Sequence, residues 1–198
     1  MTNEPTDNET SESRRAQLLD VVRQRALTRF DEPKELASGE LSTDFIDAKR
    51  GLSRGADLRL ACRVIADSVA AAGIDFDAVG GLTLGADQFS HGVATYLDDD
   101  HEWFVVRKKA KGRGTDQLVE GAVLSAGTRV LLVDDVVTTG GSIQKAYRNV
   151  LETGATVVAA VTLVDRSDMA SAFFDSEGVA YLPLFTYLDL GIDPIGGV

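Results

Sequence analysis

The sequence predicts an α/β fold with a mostly parallel central sheet flanked by helices, and three observations predict it. Short apolar runs that suit buried strands, Ala78–Thr83, Trp103–Val106, Arg129–Val133 and Val157–Val164, are separated by segments of helical periodicity. Strand-helix-strand units of this kind cross over right-handedly and bury their strands beneath helices on both faces. A chain of 198 residues, 44% hydrophobic, is long enough for one full core, and no internal repeat or linker divides it.

The elements follow in order. Met1 to Glu12 carry four acids, no Lys or Arg and almost nothing apolar, so residues 1–12 are expected to be a disordered acidic tail and 13–198 a single domain. From Ser13, a candidate cap, the residues Leu18, Leu19, Val22 and Ala26 share one helical face. Glu35 to Leu52 mix turn residues (Ser38, Gly39) with a short strand around Phe45 and Ile46 and read as a surface hairpin. Ala56 to Ala72 set Ala61, Val64, Ile65, Ser68, Val69 and Ala72 on one stripe, with Gly73 placed to end the helix. After the strand at 78–83 come a helix over Gln88–Leu97, the strand at Trp103, a basic glycine-bearing stretch and the strand at Arg129. Ser142 to Thr153 then place Ile143, Ala146, Tyr147, Val150 and Leu151 on one face, with Gly154 as the stop.

Composition excludes several functions. Twenty Lys and Arg against thirty-one Asp and Glu leave a net charge of −11, which repels nucleic acid and anionic lipid. The single cysteine, Cys62, rules out an intrachain disulfide and a cysteine-built zinc site and suits a reducing compartment. No basic, apolar leader opens the sequence and no 18 apolar residues run together, so the expectation is a cytoplasmic protein with neither membrane nor nucleic-acid partners. His91 and His101 read as structural.

The strongest chemical signal is RVLLVDDVVTTGGSI, Arg129 to Ile143: a buried strand, two adjacent acids, a hydroxyl- and glycine-rich turn, then a helix start. Such a turn offers backbone N–H groups and the positive end of a helix dipole to a phosphate. Thr138, Thr139 and Ser142 add hydroxyls, while Gly140 and Gly141 allow close approach. Asp134 and Asp135 suit sugar hydroxyls or a hydrated Mg²⁺. Any three of these residues would equally make an ordinary capped turn; all nine from Asp134 to Ser142 together speak for a ribose-phosphate site. The stretch resembles the phosphoribosyl pyrophosphate (PRPP) motif of type I phosphoribosyltransferases, in which Val136 and Val137 belong to the same binding run.

A second signal is RKKAKGR, Arg107 to Arg113, which packs five of the twenty basic residues into seven positions. Alone it is equally a solvated loop or a mobile lid that closes cations over a polyanion. The run resembles the catalytic loop of orotate phosphoribosyltransferases: Arg107, Lys108 and Lys111 match, and Arg113 stands where that family has histidine. ELASGELSTDFIDAKRGL resembles the family's orotate-binding hairpin through Ser38, Gly39, Ser42, Phe45, Asp47 and Lys49. GGLTLGADQFS resembles its short pyrophosphate loop, with Thr83 and Gly85 as phosphate donors and Asp87 as a helix cap. Asp165-Arg166 resembles the pair whose arginine meets the orotate carboxylate.

The resemblance implies a type I phosphoribosyltransferase fold with a small N-terminal hood over about 30–55 and a core over about 56–185, the C-terminal YLPLFTYLDLGI joining the hood. It also implies transfer of the phosphoribosyl group from PRPP to orotate, giving orotidine 5′-monophosphate and pyrophosphate, with Mg²⁺ as cofactor. Arg107, Lys111, Asp134 and Asp135 would then be catalytic, and Ser38, Gly39, Phe45, Lys49, Thr138 and Arg166 would bind orotate. A homodimer sharing its active sites follows from the same likeness. A related transferase acting on another base, or a PRPP-sensing regulator without turnover, are the alternatives that the residues leave open.

Overall fold

The computed structural model describes residues 10–36, 38–97, 100–109 and 118–196. Residues 1–9 of the expected tail, and Lys111 and Arg113 of the basic run, therefore lie outside the described residues.

Helix α1 spans Ser11–Val21 and passes through one wider π-type turn, Val22–Ala26. It begins before the expected boundary at Ser13 because Thr10 is the cap, its hydroxyl accepting the Ser13 N–H at 3.1 Å. Leu18, Val22 and Ala26 are buried as their spacing foretold. The buried Arg14 reaches Asp67 at 2.6 Å, fastening α1 to helix α3, Gly55–Ala71. The α3 stripe is buried at Ala61, Val64, Ile65 and Val69, whereas Ala72 falls beyond the helix and is exposed.

The hairpin has a longer first arm than the sequence suggested. Strand β1, Leu27–Glu35, pairs antiparallel with β2, Leu41–Ile46, with an irregularity between Arg29 and Lys34. Most of β1 is exposed, so it has no apolar alternation by which to recognise it. A four-residue helix α2, Ala48–Gly51, follows, capped by Asp47, which accepts the Arg50 N–H at 3.0 Å.

Next come β3 (Ala78–Leu82), α4 (Asp87–Leu97), β4 (Glu102–Val106), β5 (Val119–Gly121), β6 (Arg129–Val137), α5 (Gly141–Leu151), β7 (Thr156–Asp165), α6 (Met169–Glu177), β8 (Ala180–Thr186) and α7 (Tyr187–Leu190). The sheet runs β5-β4-β3-β6-β7-β8, and only β5 is antiparallel to its neighbour. Alternation along β6 builds a core on each face: Leu131 and Val133 pack with α3 and α4, and Val130 and Leu132 pack with residues of α5 and α6.

One expectation is corrected here. YLPLFT is the edge strand β8, paired in parallel with β7 and burying Leu184 and Phe185, so it belongs to the sheet and not to the hood. The turn after it reaches the hood, where Arg29 donates to the Gly191 carbonyl at 3.1 Å. Helix α6 was not foreseen because it buries only Ala170 and Phe174, too short a stripe to stand out. His91 and His101 make ring contacts with Trp103 and Phe76, as structural histidines do. Among the described residues no helix is long and apolar enough to cross a membrane.

The topology fixes where a ligand can go. The chain passes from β3 outward to β4, then returns to β6 on the other side of β3. The carboxyl ends of β3 and β6 are therefore the switch point at which open α/β sheets bind ligands.

Cys62, 1% exposed, lies within the α3 face, and burial pushes its thiol up to about 12. At pH 8 the reactive thiolate is then about one part in ten thousand, so native protein should resist a disulfide-exchange reagent that labels it promptly in denaturant. Rapid native labelling would show that α3 does not pack as described.

Candidate active site

Strand β6 does not stop at Val133. Its pairing with β7 continues to Val137↔Asp165, which carries both acids inside the strand's end instead of the loop. Asp134 and Val136 line a cleft, while the Asp135 carboxylate, close beside that of Asp134, accepts a hydrogen bond from Lys49 Nζ at 2.9 Å. The acids are 5% and 9% exposed. Each also accepts the next backbone N–H, that of Asp135 at 2.9 Å and that of Val136 at 2.8 Å. Burial, then the neighbouring Asp135 charge, holds the Asp134 carboxyl well above its ordinary range. For Lys49, burial works against the charge, but the bond to Asp135 and the surrounding carboxylates outweigh it and raise the ammonium.

Beyond the acids, Thr138 and Thr139 lead to Gly140, whose φ of +79° is the left-handed conformation that glycine adopts without a side-chain clash. Gly140 caps α5, so the N-terminus of an eleven-residue helix faces the same space. The cleft, about 370 Å³, is lined by Asp134, Val136, Val137 and the run from Thr138 to Ile143 on one side. Leu36, Ser38, Phe45 and Arg166 complete the lining. Phe45 is 43% exposed, so it is no core aromatic but a ring presented to the cleft.

Arg166 is the largest fully buried side chain, 1% exposed, and burial pushes its pKa down. Nη1 donates to the Asp44 carbonyl at 2.8 Å and Nη2 to the Ser42 hydroxyl at 3.0 Å. Nε is buried without a partner among the described residues. The guanidinium thus ties the end of β7 to the hairpin as well as lining the cleft.

The remaining expected residues stand around this cleft and not in its lining. Thr83 donates to Asp87 Oδ2 at 2.8 Å and Oδ1 has no partner among the described residues, so Asp87 opens α4 as its first residue and is not the cap that the sequence suggested. The Thr83–Leu84 peptide is cis. Gly85 approaches the acids so closely that a Cβ there would lie 2.5 Å from Asp135 and 2.6 Å from Asp134, placing the β3–α4 loop against them. Gly39, with φ of +87°, makes the hairpin turn. Arg107 pairs with Glu120 at 2.9 Å, and the Lys108 carbonyl accepts from Lys145 at 2.7 Å. The neck of the basic run is therefore fastened beside β5 and α5. Leu36 and Ile143 were missed as lining residues: Leu36 has no chemical signature, and Ile143 was legible only as part of a helix face.

Residues 55–173 match a family model described as the phosphoribosyl transferase domain. The orotate phosphoribosyltransferase of Pyrococcus furiosus is 40% identical over 149 residues, 75% of this chain and 80% of that protein. The one from Corynebacterium glutamicum is 35% identical over 188 residues, 95% of this chain and 100% of that protein. A crystal structure of Mycobacterium tuberculosis orotate phosphoribosyltransferase in complex with PRPP superposes with a TM-score of 0.75 at 32% identity, covering 90% of this chain and 99% of that one.

A raised Asp134 destabilises the fold at high pH. The unfolded chain ionises near the ordinary value of 3.8 while the folded chain holds its proton, so stability present below that pH is lost as pH rises toward the folded value. Asp134→Asn removes the ionisation. In metal-free buffer the melting temperature of the variant should rise relative to wild type as pH climbs above 3.8. Each pKa unit of displacement is worth about 1.4 kcal/mol, or roughly 3 °C for a chain of this size. A melting-temperature difference that stays constant with pH would show that Asp134 is not buried as a strained acid.

Proposed function

The chain belongs to the orotate phosphoribosyltransferase family, and we propose how its cleft transfers the phosphoribosyl group of PRPP to orotate. One observation carries the assignment of subsites: Asp134 lines the cleft together with the Thr138–Ser142 turn and the hairpin residues Ser38 and Phe45, and the backbone of Gly85 approaches both acids. That arrangement suits a substrate with a phosphate at one end of a ribose, a pyrophosphate at the other and a base facing the hairpin.

The 5′-phosphate sits in the Thr138–Ser142 turn, held by backbone N–H groups, hydroxyls and the α5 N-terminus. Asp134 and Asp135 face the ribose, accept from its hydroxyls and stabilise the positive charge that develops at the anomeric carbon. Thr83 and Gly85 hold the pyrophosphate, and Arg107, Lys108, Lys111 and Arg113 gather over it. Arg107 must leave Glu120 to do so. Orotate lies against the Phe45 ring, with Ser38 and Thr138 as hydrogen-bonding partners, Lys49 near by and Arg166 directed to its carboxylate. The bond from the anomeric carbon to pyrophosphate oxygen breaks as the bond to the base nitrogen forms, that nitrogen losing its proton to solvent, with inversion and no covalent enzyme intermediate. Lys111 contacts or protonates the departing pyrophosphate.

Among the described residues no group of three or more His, Cys, Asp or Glu could cage a metal. Two adjacent carboxylates, one bonded to Lys49, fit instead a Mg²⁺ that arrives on the substrate's phosphates and keeps most of its water. When bound, Mg²⁺ neutralises charge on the leaving pyrophosphate. We further propose a cytoplasmic homodimer in which the basic run of one subunit closes on its partner's cleft.

Purified protein with Mg²⁺ and PRPP should consume orotate, followed by its absorbance, and leave uracil, adenine, hypoxanthine and xanthine unchanged. Lys111→Ala should lower kcat on the order of 10²-fold or more while the fold survives. Turnover of a base other than orotate would overturn the base assignment, and a fully active Lys111→Ala would remove that lysine from the chemistry. In size-exclusion chromatography the active species should elute as a dimer; a monomer of full activity contradicts the shared site.

A further inference from the structure

The Asp-Arg pair that ends β7 is followed by Ser167, a residue that no motif singles out, and its contacts lead straight to the cleft. The Ser167 hydroxyl donates to the carbonyl of Thr138, and the Arg166 N–H donates to the carbonyl of Val137 at 2.8 Å. Consecutive residues of the β7–α6 turn thus hold consecutive carbonyls of the stem of the β6–α5 loop. Ser167 is itself fixed from both sides: its N–H donates to Asp165 Oδ1 at 3.0 Å, and its oxygen accepts the Met169 N–H at 3.2 Å. Asp165 is fixed in turn by the Tyr181 hydroxyl, which donates to Oδ2 at 2.8 Å and lies 3.1 Å from the Thr162 hydroxyl. Thr162, Asp165 and Ser167 are 0%, 3% and 6% exposed, so water does not compete for these bonds.

We propose that Ser167, held by Asp165 and Tyr181, is a positioning residue that aims the Thr138–Thr139 peptide at the substrate's 5′-phosphate. A trans peptide points its carbonyl and its N–H in opposite directions, and among the described residues only the Thr83–Leu84 peptide is cis. With the Thr138 carbonyl drawn down to Ser167, the Thr139 N–H turns the other way, into the cleft that both threonines line. Without the serine hydroxyl that carbonyl loses its partner, and the peptide is free to rotate and take the phosphate donor with it. The inference rests on Thr138–Ser142 being the 5′-phosphate turn.

The test compares wild type with Ser167→Ala and Ser167→Thr, which keeps the hydroxyl, and with Tyr181→Phe, which loosens Asp165 but spares the serine. Titration with ribose 5-phosphate and steady-state kinetics in PRPP and orotate supply the readouts. Ser167→Ala should raise the Kd for ribose 5-phosphate and the KM for PRPP about tenfold, the size expected for one buried hydrogen bond. The KM for orotate and kcat at saturating PRPP should stay within about twofold. Ser167→Thr should recover most of the loss, and Tyr181→Phe should show a smaller shift of the same kind. If Ser167→Ala fails to fold, Tyr181→Phe and Ser167→Thr carry the same comparison. Wild-type binding of ribose 5-phosphate in the Ser167→Ala protein would overturn the inference and leave the phosphate turn standing. An equal loss across kcat and both KM values would make Ser167 merely structural. Absence of ribose 5-phosphate binding in wild type would sink the turn itself, and the inference with it.

Discussion

Two carboxyl groups side by side at the end of a buried strand, which burial keeps from ionising together, are the constraint around which this molecule is arranged. Neither Asp134 nor Asp135 is in open water, and among the described residues only Asp135 pairs with a cation, Lys49, which comes from outside the sheet. Without the hairpin and short helix that deliver Lys49, the buried acids would lose that pairing charge. The hood is thus an electrostatic necessity for the strand end as well as a wall of the cleft. At the opposite end of the sheet, where β3 and β6 begin, Arg129 closes on Asp77 at 2.7 Å and lowers its pKa, opposite charges meeting in solvent. One end of the sheet is satisfied and the other is left under tension, which is how folds commonly reserve a place for chemistry.

The contrast also explains what the sequence disclosed. The apolar runs that became β3, β6 and β7 were legible because burial on both faces demands continuous hydrophobicity, β4 because Phe104 and Val106 bury one face of a short apolar run, and α3, α4 and α5 because one face of each is core. What escaped was held by other means. β1 stays in place through backbone pairing with β2 and hardly through burial, so its residues carry no period. Strand β8 was legible as apolar but not as sheet, since nothing in YLPLFT says which neighbour it will pair with.

The candidate site divides along the same line. Residues whose work is done by backbone and hydroxyl groups in one continuous run, Thr138 to Ser142, were readable as a unit. Residues whose work depends on a partner far along the chain were not: Lys49 on Asp135 is 86 positions away, and Arg166 on Asp44 is 122. Ser167 belongs to this second kind, since its meaning lies in a carbonyl 29 positions earlier. Spacing within a motif can propose such a residue; only the fold can say what it touches.

Arg166 serves two masters: Nη1 and Nη2 each donate to the hairpin, while the buried Nε has no partner among the described residues. A base that engages this guanidinium therefore alters the grip on Asp44 and Ser42, and a hairpin that tightens alters the donor offered to the base. Such a relation is thermodynamic coupling, and it is reciprocal: whatever free energy the base contributes to ordering the hairpin, an ordered hairpin returns to the affinity for the base. Selectivity at this wall is then a property of the hood's conformational equilibrium as much as of the groups that touch the ligand.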